Sequence, residues 1–270
     1  MQIRSFVPGA VTLAVTQHDP DGRLTEQVRR VLPTLQRHFA QIVVQATYAS
    51  PPEALDLLRA AGAQVYQEHT DEFNGLDRLG GTRRAAIDLA LRTGAATILF
   101  CDFDRALHWA EYHPDELATL AAQLTASDFT VLGRTARAFA SHPRVQRDTE
   151  GIINHVFARV SGYSWDVTAA ARGLSRRAAA ALLAGCPDQS IGTDVAWPLF
   201  LLRAGSFTLA YRETEGLEFE TADRFADQIT AAGGRAAWID QIDASPAQWA
   251  LRLELARIEV AAIEPYIPLA

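Results

Sequence analysis

Short apolar runs and amphipathic stretches alternate along the first half of the chain. The runs Val11 to Thr16, Gln41 to Ala46, Gln64 to Gln67, Thr97 to Cys101 and Phe129 to Gly133 have the length and content of strands. Leu24 to His38, Pro52 to Ala61, Gly81 to Thr93 and Pro114 to Ala126 carry apolar residues at helical spacing. Proline stands early in two of them, where it is tolerated, and Gly94 ends a third. Strands separated by helices predict βαβ units, and so an α/β fold with a Rossmann-type, mainly parallel sheet flanked by helices.

The second half is less regular. Thr149 to Val160, Ser175 to Ala184 (with Ser175 as N-cap) and Val195 to Ala204 read as helices, and Phe207 to Tyr211 as a strand. Ser245-Pro246 is a good start for a C-terminal helical extension. Within it Trp249, Leu253, Ala256, Val260 and Ile263 share one face, and Leu251, Leu255, Ile258 and Ala262 share roughly the opposite one. A helix apolar on two sides is expected to be sandwiched, with one side on the core and the other on a second copy of the chain in a homodimer. The alternative is that Ala231 to Ile242 folds back over the second stripe.

Composition narrows the function. The chain has 270 residues, 49% hydrophobic and 21% charged, which suits a globular protein of one large domain or two small ones. A net charge of −7 argues against a nucleic-acid partner. It leaves room for a small phosphorylated ligand held by local arginines. All 25 basic residues are arginine, so no mechanism can rest on a catalytic lysine. Cys101 and Cys186 imply neither a disulfide framework nor a zinc site. The N-terminus does not read as a signal peptide, and no apolar run reaches the ~18 residues of a membrane span. A cytoplasmic protein is expected.

The chemistry concentrates at Ile98-Leu99-Phe100-Cys101-Asp102-Phe103-Asp104. An apolar strand delivers two carboxylates, one residue apart, to the carboxyl end of a strand, where open α/β sheets bind ligands. Such a pair repels itself unless a cation intervenes, and a hard divalent ion that also carries phosphate oxygens is the usual one. The spacing aims both side chains at one ligand if the strand gives way to a turn. The bland reading is two solvated carboxylates that start a loop.

Three further stretches accompany this pair: VTLAVT running into Gln17-His18-Asp19, GGTRRAAIDLALRTGAATILFCDFD, and ARGLSRRAAAALL followed by IGTDVAWPLFLLRAG. In this order they resemble the GT-A glycosyltransferases, especially family 2 and the glycerate-type sugar transferases, over roughly Val11 to Gly205. One departure is Thr193-Asp194, where many members have Glu-Asp. The resemblance implies a GT-A-like fold and transfer of a sugar from a nucleotide-diphosphate donor to an acceptor hydroxyl, assisted by Mg²⁺ or Mn²⁺. It assigns Thr16, Gln17, Asp19, Arg83 and Asp102 to the donor, Asp102 and Asp104 to the metal, and Asp194 to the general base. The bland readings are a turn for Asp19, a solvated arginine for Arg83 and a helix N-cap for Asp194. His69, His113 and His142 are each candidates for a third metal ligand. Arg134, Arg137, Arg144 and Arg147 are candidates for binding a small acidic acceptor.

With no linker or repeat, residues 1–270 read as a single domain. Its nucleotide-sugar half covers about 1–133, its acceptor half about 134–244, and the C-terminal helix 245–270. The rival functions are a sugar-phosphate nucleotidylyltransferase, a non-catalytic nucleotide-sugar-binding protein and a haloacid-dehalogenase-like phosphatase. The first wants a Gly-rich basic loop where TQHDPDG stands, and the last wants a lysine.

Overall fold

The computed structural model of the chain describes residues 11–70, 75–76 and 78–267. The leading segment, on which the expectation about a signal peptide rests, and the last three residues lie outside them. The elements are β1 (Val11–Gln17), α1 (Thr25–His38), β2 (Gln41–Ala46), α2 (Pro52–Ala60), β3 (Gln64–Gln67), α3 (Leu79–Arg92), β4 (Thr97–Asp102), α4 (Phe103–Tyr112) and α5 (Pro114–Gln123). There follow β5 (Phe129–Arg134), α6 (Ala136–Ala140), α7 (Arg144–Ser161), β6 (Ala171–Ser175), α8 (Arg176–Gly185), α9 (Thr193–Ala204), β7 (Leu209–Thr214), α10 (Ala226–Ala231), α11 (Arg235–Asp243) and α12 (Pro246–Ala261).

One sheet of seven strands carries the fold, in the order β3-β2-β1-β4-β6-β5-β7. Only β6 runs antiparallel to its neighbours. Alternate residues of each strand feed opposite faces. Leu13, Val15, Leu99 and Cys101 pack with α1, α2, α4 and α5, whereas Ala14, Ile98 and Phe100 pack with α3, α7, α8 and α9. Both faces are covered, as a parallel sheet requires. Both cysteines are free and buried. No helix among the described residues is long and apolar enough to cross a membrane.

Four features depart from the sequence reading. α4 follows β4 without a turn, although its apolar residues Phe103, Ala106, Leu107 and Ala110 have helical spacing. β6 reads poorly as a strand because it carries Arg172 and Gly173; a Cβ on Gly173 would lie 2.4 Å from Leu124 Cδ2. α7 begins at Arg144, ahead of the expected Thr149. β7 begins at Leu209, after the expected Phe207.

The C-terminal helix starts as expected, with Ser245 Oγ accepting from the Gln248 amide and Pro246 in the first turn. Its buried face is not either apolar stripe. Ala256, Ile258, Glu259 and Ile263 are buried and Arg252 half-buried, so the inward face runs between the two stripes, while Leu251 and Leu253 stay about half exposed. α12 lies on α7 and α9, and α11 folds back against α7 and α12. This packing does not require the homodimer that two opposed stripes imply.

Candidate functional site

Asp102 is placed by strand register. It pairs with Thr16 across β1 and β4, and the Thr16 hydroxyl donates to its Oδ1 at 2.6 Å. By strand alternation it lies on the face of Ile98 and Phe100, towards α3 and α9. There Arg83 Nη2 is 3.6 Å and Arg105 Nε 4.0 Å from its Oδ2.

Arg83 reaches this point because α3 seats its first turn directly on residues 189–193. A Cβ on Gly80 would lie 2.3 Å from the Ser190 carbonyl oxygen, and the Gly81 amide donates to the Gln189 carbonyl at 3.0 Å. Arg83, 2% exposed, then forms a 3.0 Å ion pair with Asp194 and donates to Thr193 Oγ1 at 3.2 Å. Asp194 stands inside the first turn of α9, whose N-cap is Gly192, so the helix-cap alternative does not describe it. The Arg172 guanidinium lies 3.4 Å from the same carboxylate. Burial pushes the Asp194 carboxyl above the usual carboxylate range, and Arg83 and Arg172 offset this only in part.

Asp104 leaves on the other side. Because the helix begins at Phe103, no turn folds the two aspartates onto one point. Asp104 Oδ1 accepts from the Arg105 amide, and Oδ2 lies 3.4 Å from Arg224 Nη1. Burial first, then the negative charge of Glu220, raises its carboxyl to about 6.

The two aspartates border two cavities. Thr16, Gln17, His18, Thr47, Thr82, Asp102, Asp104, Glu220 and Arg224 surround one of about 180 Å³. Asp102 also borders a second cavity of about 140 Å³, with Arg83, Arg105, Arg252, Glu150, Asp194 and Glu259 in its wall. Each cavity draws residues from both halves of the chain. Gln17 is 1% exposed, and both polar atoms of its amide lack a hydrogen-bond partner among the described residues. A buried amide left in this state costs free energy and points to a ligand.

Asp19 is engaged elsewhere. Its two oxygens accept from the Arg23 and Leu24 amides at 3.0 and 2.8 Å, and its carbonyl closes a turn with Gly22. This is the arrangement of the turn reading. Among the histidines, His69 packs edge-on to Tyr66 beside β3, and His113 bonds Glu218 at 3.0 Å. His142 reaches the wall of the first cavity, with Nε2 4.0 Å from Glu220 Oε2.

The arginine run does not gather at an acceptor site. Arg134 is buried between Glu150 and Asp166, Arg137 pairs with Glu215 and Glu218 at the surface, and Arg144 pairs with Asp148. Arg147 is not in the wall of either cavity. Lying close in sequence puts these residues on a strand end and two helices that point apart. The arginines that do converge are Arg83, Arg105 and Arg252, which sequence proximity does not signal. Arg172, Glu220, Arg224 and Glu259 were likewise not singled out.

Asp102 and Asp104 both border the first cavity and carry the oxygen donors that a hard divalent cation of the Mg²⁺ or Mn²⁺ type takes. Such ions bind one or two carboxylates and complete their shell with substrate phosphate and water. The Asp104 carboxyl is raised first by burial and then by Glu220, against the opposing charges of Arg224 and Arg105. No group of three His, Cys, Asp or Glu side chains among the described residues closes around a single point, so protein ligands alone do not complete a shell.

No protein-family model matches the chain, and no curated protein matches its sequence. Solved structures do match its fold. Glucosyl-3-phosphoglycerate synthase from Mycobacterium tuberculosis, in complex with Mn²⁺, UDP and phosphoglyceric acid, superposes with a TM-score of 0.54 at 12% identity, over 96% of this chain and 80% of that one. The same enzyme with Mn²⁺, UDP and glucosyl-3-phosphoglycerate gives 0.52 at 11% identity, over 96% and 81%. A further mycobacterial protein gives 0.57 at 14% identity, over 96% and 76%.

Proposed function

The chain has a GT-A-like fold, and we propose that it is a glycosyltransferase. In this reading it moves a sugar from a nucleoside diphosphate to a hydroxyl of a small anionic acceptor, with Mg²⁺ or Mn²⁺ as cofactor. The observation that carries the reading is the meeting of two cavities at Asp102, one bordered by Asp104, Glu220 and Arg224, and the other by Arg83, Arg105 and Arg252 together with Glu150, Asp194 and Glu259.

Gln17 is the residue for the nucleobase, since its amide presents both a donor and an acceptor. Thr16 holds Asp102 in place, and Asp102 and Asp104 hold the cation. The cation would supply positive charge against the negative charge developing on the diphosphate of the departing nucleoside diphosphate. In the second cavity Arg83, Arg105 and Arg252 are partners for an acceptor carboxylate or phosphate. Arg105 brings an Nη1 that is buried and unpartnered among the described residues. Asp194, on the same wall, is the group for the acceptor's hydroxyl proton, and a carboxyl raised by burial suits that task.

The test is a thermal-shift screen of nucleoside diphosphates with and without Mn²⁺, followed by a donor screen for transfer or hydrolysis. The reading expects stabilisation by diphosphate plus Mn²⁺ that Asp104→Ala abolishes. Equal stabilisation of variant and wild type would remove the cation from Asp104. Binding without turnover of any donor would leave a nucleotide-sugar-binding protein.

A further inference from the structure

Arg224 occupies the approach to Asp104 Oδ2, an oxygen that a cation on Asp104 would use. It projects from a 3₁₀ turn, Glu220–Phe225, that is pinned on both sides of it. Glu220 faces Arg105 at 3.5 Å, and Asp223 accepts from Gln27 Nε2 at 2.8 Å and contacts His108 Nδ1 at 2.7 Å. The Arg224 side chain itself is 21% exposed. It donates to the His18 carbonyl oxygen, while its approaches to Asp104 Oδ2 and Asp19 Oδ1, at 3.4 and 3.9 Å, are too long for good hydrogen bonds. Both Asp19 oxygens already accept backbone amides. The guanidinium therefore serves one otherwise free carboxylate oxygen, Asp104 Oδ2.

Space leads to the same place. The cavity beside Asp104 holds about 180 Å³ with Arg224 in its wall. Ligand pockets of drug size run to about 300–1,000 Å³, so a nucleoside diphosphate needs the wall to move. Arg224 is a long, partly exposed arm in that wall.

We propose that Arg224 is a resident counter-cation that competes with the divalent ion for Asp104 and leaves it when a pyrophosphate arrives to pair with the guanidinium. This rests on the functional reading above and adds an order to it. The metal alone meets a site already holding a positive charge. The diphosphate offers Arg224 a bidentate partner, frees Asp104 Oδ2, and so draws the metal in. Metal and diphosphate then bind with positive coupling, and Arg224 is the element that couples them.

The experiment measures Mn²⁺ binding alone, by electron paramagnetic resonance of the free ion, and again with uridine diphosphate present. Arg224→Ala is expected to bind Mn²⁺ alone at least about tenfold more tightly than wild type, because a charge about 4 Å or less from the ion has been removed. The gain in Mn²⁺ affinity on adding the diphosphate should shrink by a similar factor. Arg224→Lys keeps the charge and should stay close to wild type with Mn²⁺ alone. Arg224→Gln keeps a donor for the His18 carbonyl and serves if the alanine variant melts early. Unchanged or weaker Mn²⁺ binding in both neutral variants overturns the proposal, as does no Mn²⁺ binding in any form. If the neutral variants bind Mn²⁺ more tightly but wild type never binds the diphosphate, the counter-cation stands and the transferase reading falls.

Discussion

Asp194→Asn separates two roles that the geometry superimposes on one carboxylate. Asp194 is 5% exposed and lies between Arg83 at 3.0 Å and Arg172 at 3.4 Å. Asparagine keeps the shape and one acceptor but removes the charge that lets two buried guanidiniums approach each other. Breaking a buried ion pair by removing one partner costs about 3–5 kcal/mol, and the isosteric change should fall at the low end. A domain of this size loses about 2–4 °C per kcal/mol, so melting should fall by roughly 6–12 °C. Urea unfolding at pH 7 gives the energy directly, provided the slope is unchanged. A variant within about 1 kcal/mol of wild type would refute the ion cluster. The catalytic role is read from folded enzyme below the new midpoint. If Asp194 takes the acceptor's proton, turnover falls at least ~100-fold, or ~2.7 kcal/mol of barrier, and the acid limb of the pH profile disappears. A destabilised variant that keeps its turnover per folded molecule and its acid limb would leave Asp194 as the anchor of Arg83 only.

Gln17→Leu removes a buried amide without partners and should stabilise the ligand-free fold or leave it within about 1 kcal/mol, while weakening nucleoside diphosphate binding at least about tenfold by calorimetry; unimpaired binding would take Gln17 out of the base site. Glu218 is pushed up by burial but pulled further down by hydrogen bonds from His113, Arg137 and His108, from 4.5 to about 2. Its folded value is depressed, so its stabilisation is present above about pH 4.5 and lost as pH falls towards about 2. Glu218→Gln should therefore cost about 1–3 kcal/mol at pH 7 with the difference closing in acid, and a gap that persists to pH 2 would contradict this. Leu255→Glu should disturb the second cavity, which Leu255 lines, and leave the mass in light scattering unchanged; a wild-type dimer that this variant dissociates would restore the apolar stripe as an interface.

The parallel part of the sheet was legible because β1, β2, β4 and β5 are apolar and buried, β3 is half-buried at alternate residues, and helices with an apolar face separate them. Asp102 and Asp104 were legible for the same reason, since carboxylates at the end of an apolar strand have no packing role there. β6 was not legible. It is paired on both sides, with β4 and β5, and its Arg172 is 1% exposed and donates to the carbonyls of Ala171, Val167 and Asp194. A buried arginine that bonds backbone carbonyls and faces a buried carboxylate looks polar in sequence yet sits in the interior. The expected acceptor arginines failed by a different route. Neighbours in sequence diverge at the end of a strand, and the residues that converge, Arg83, Arg105 and Arg252, come from α3, α4 and α12.

The C-terminal helix shows why a site hides from periodicity. A helix that only packs buries an apolar stripe, and the hydrophobic pattern finds it. α12 buries the strip between its two apolar stripes, because that strip carries Arg252 and Glu259 into the second cavity. Arg252 donates to Gln146 at 2.9 Å and lies 3.6 Å from Glu150, both on α7. Burial lifts the Glu259 carboxyl well above its usual range, and the charges of Asp194 and Glu150 lift it further. A helix retained for packing alone would not place a carboxyl where burial and two carboxylates all oppose its charge. Its position makes sense if the cavity is what the helix is there to close. The apparent two-sidedness of α12 is then a sign of a functional face, since the polar residues that break the pattern are the ones turned inward.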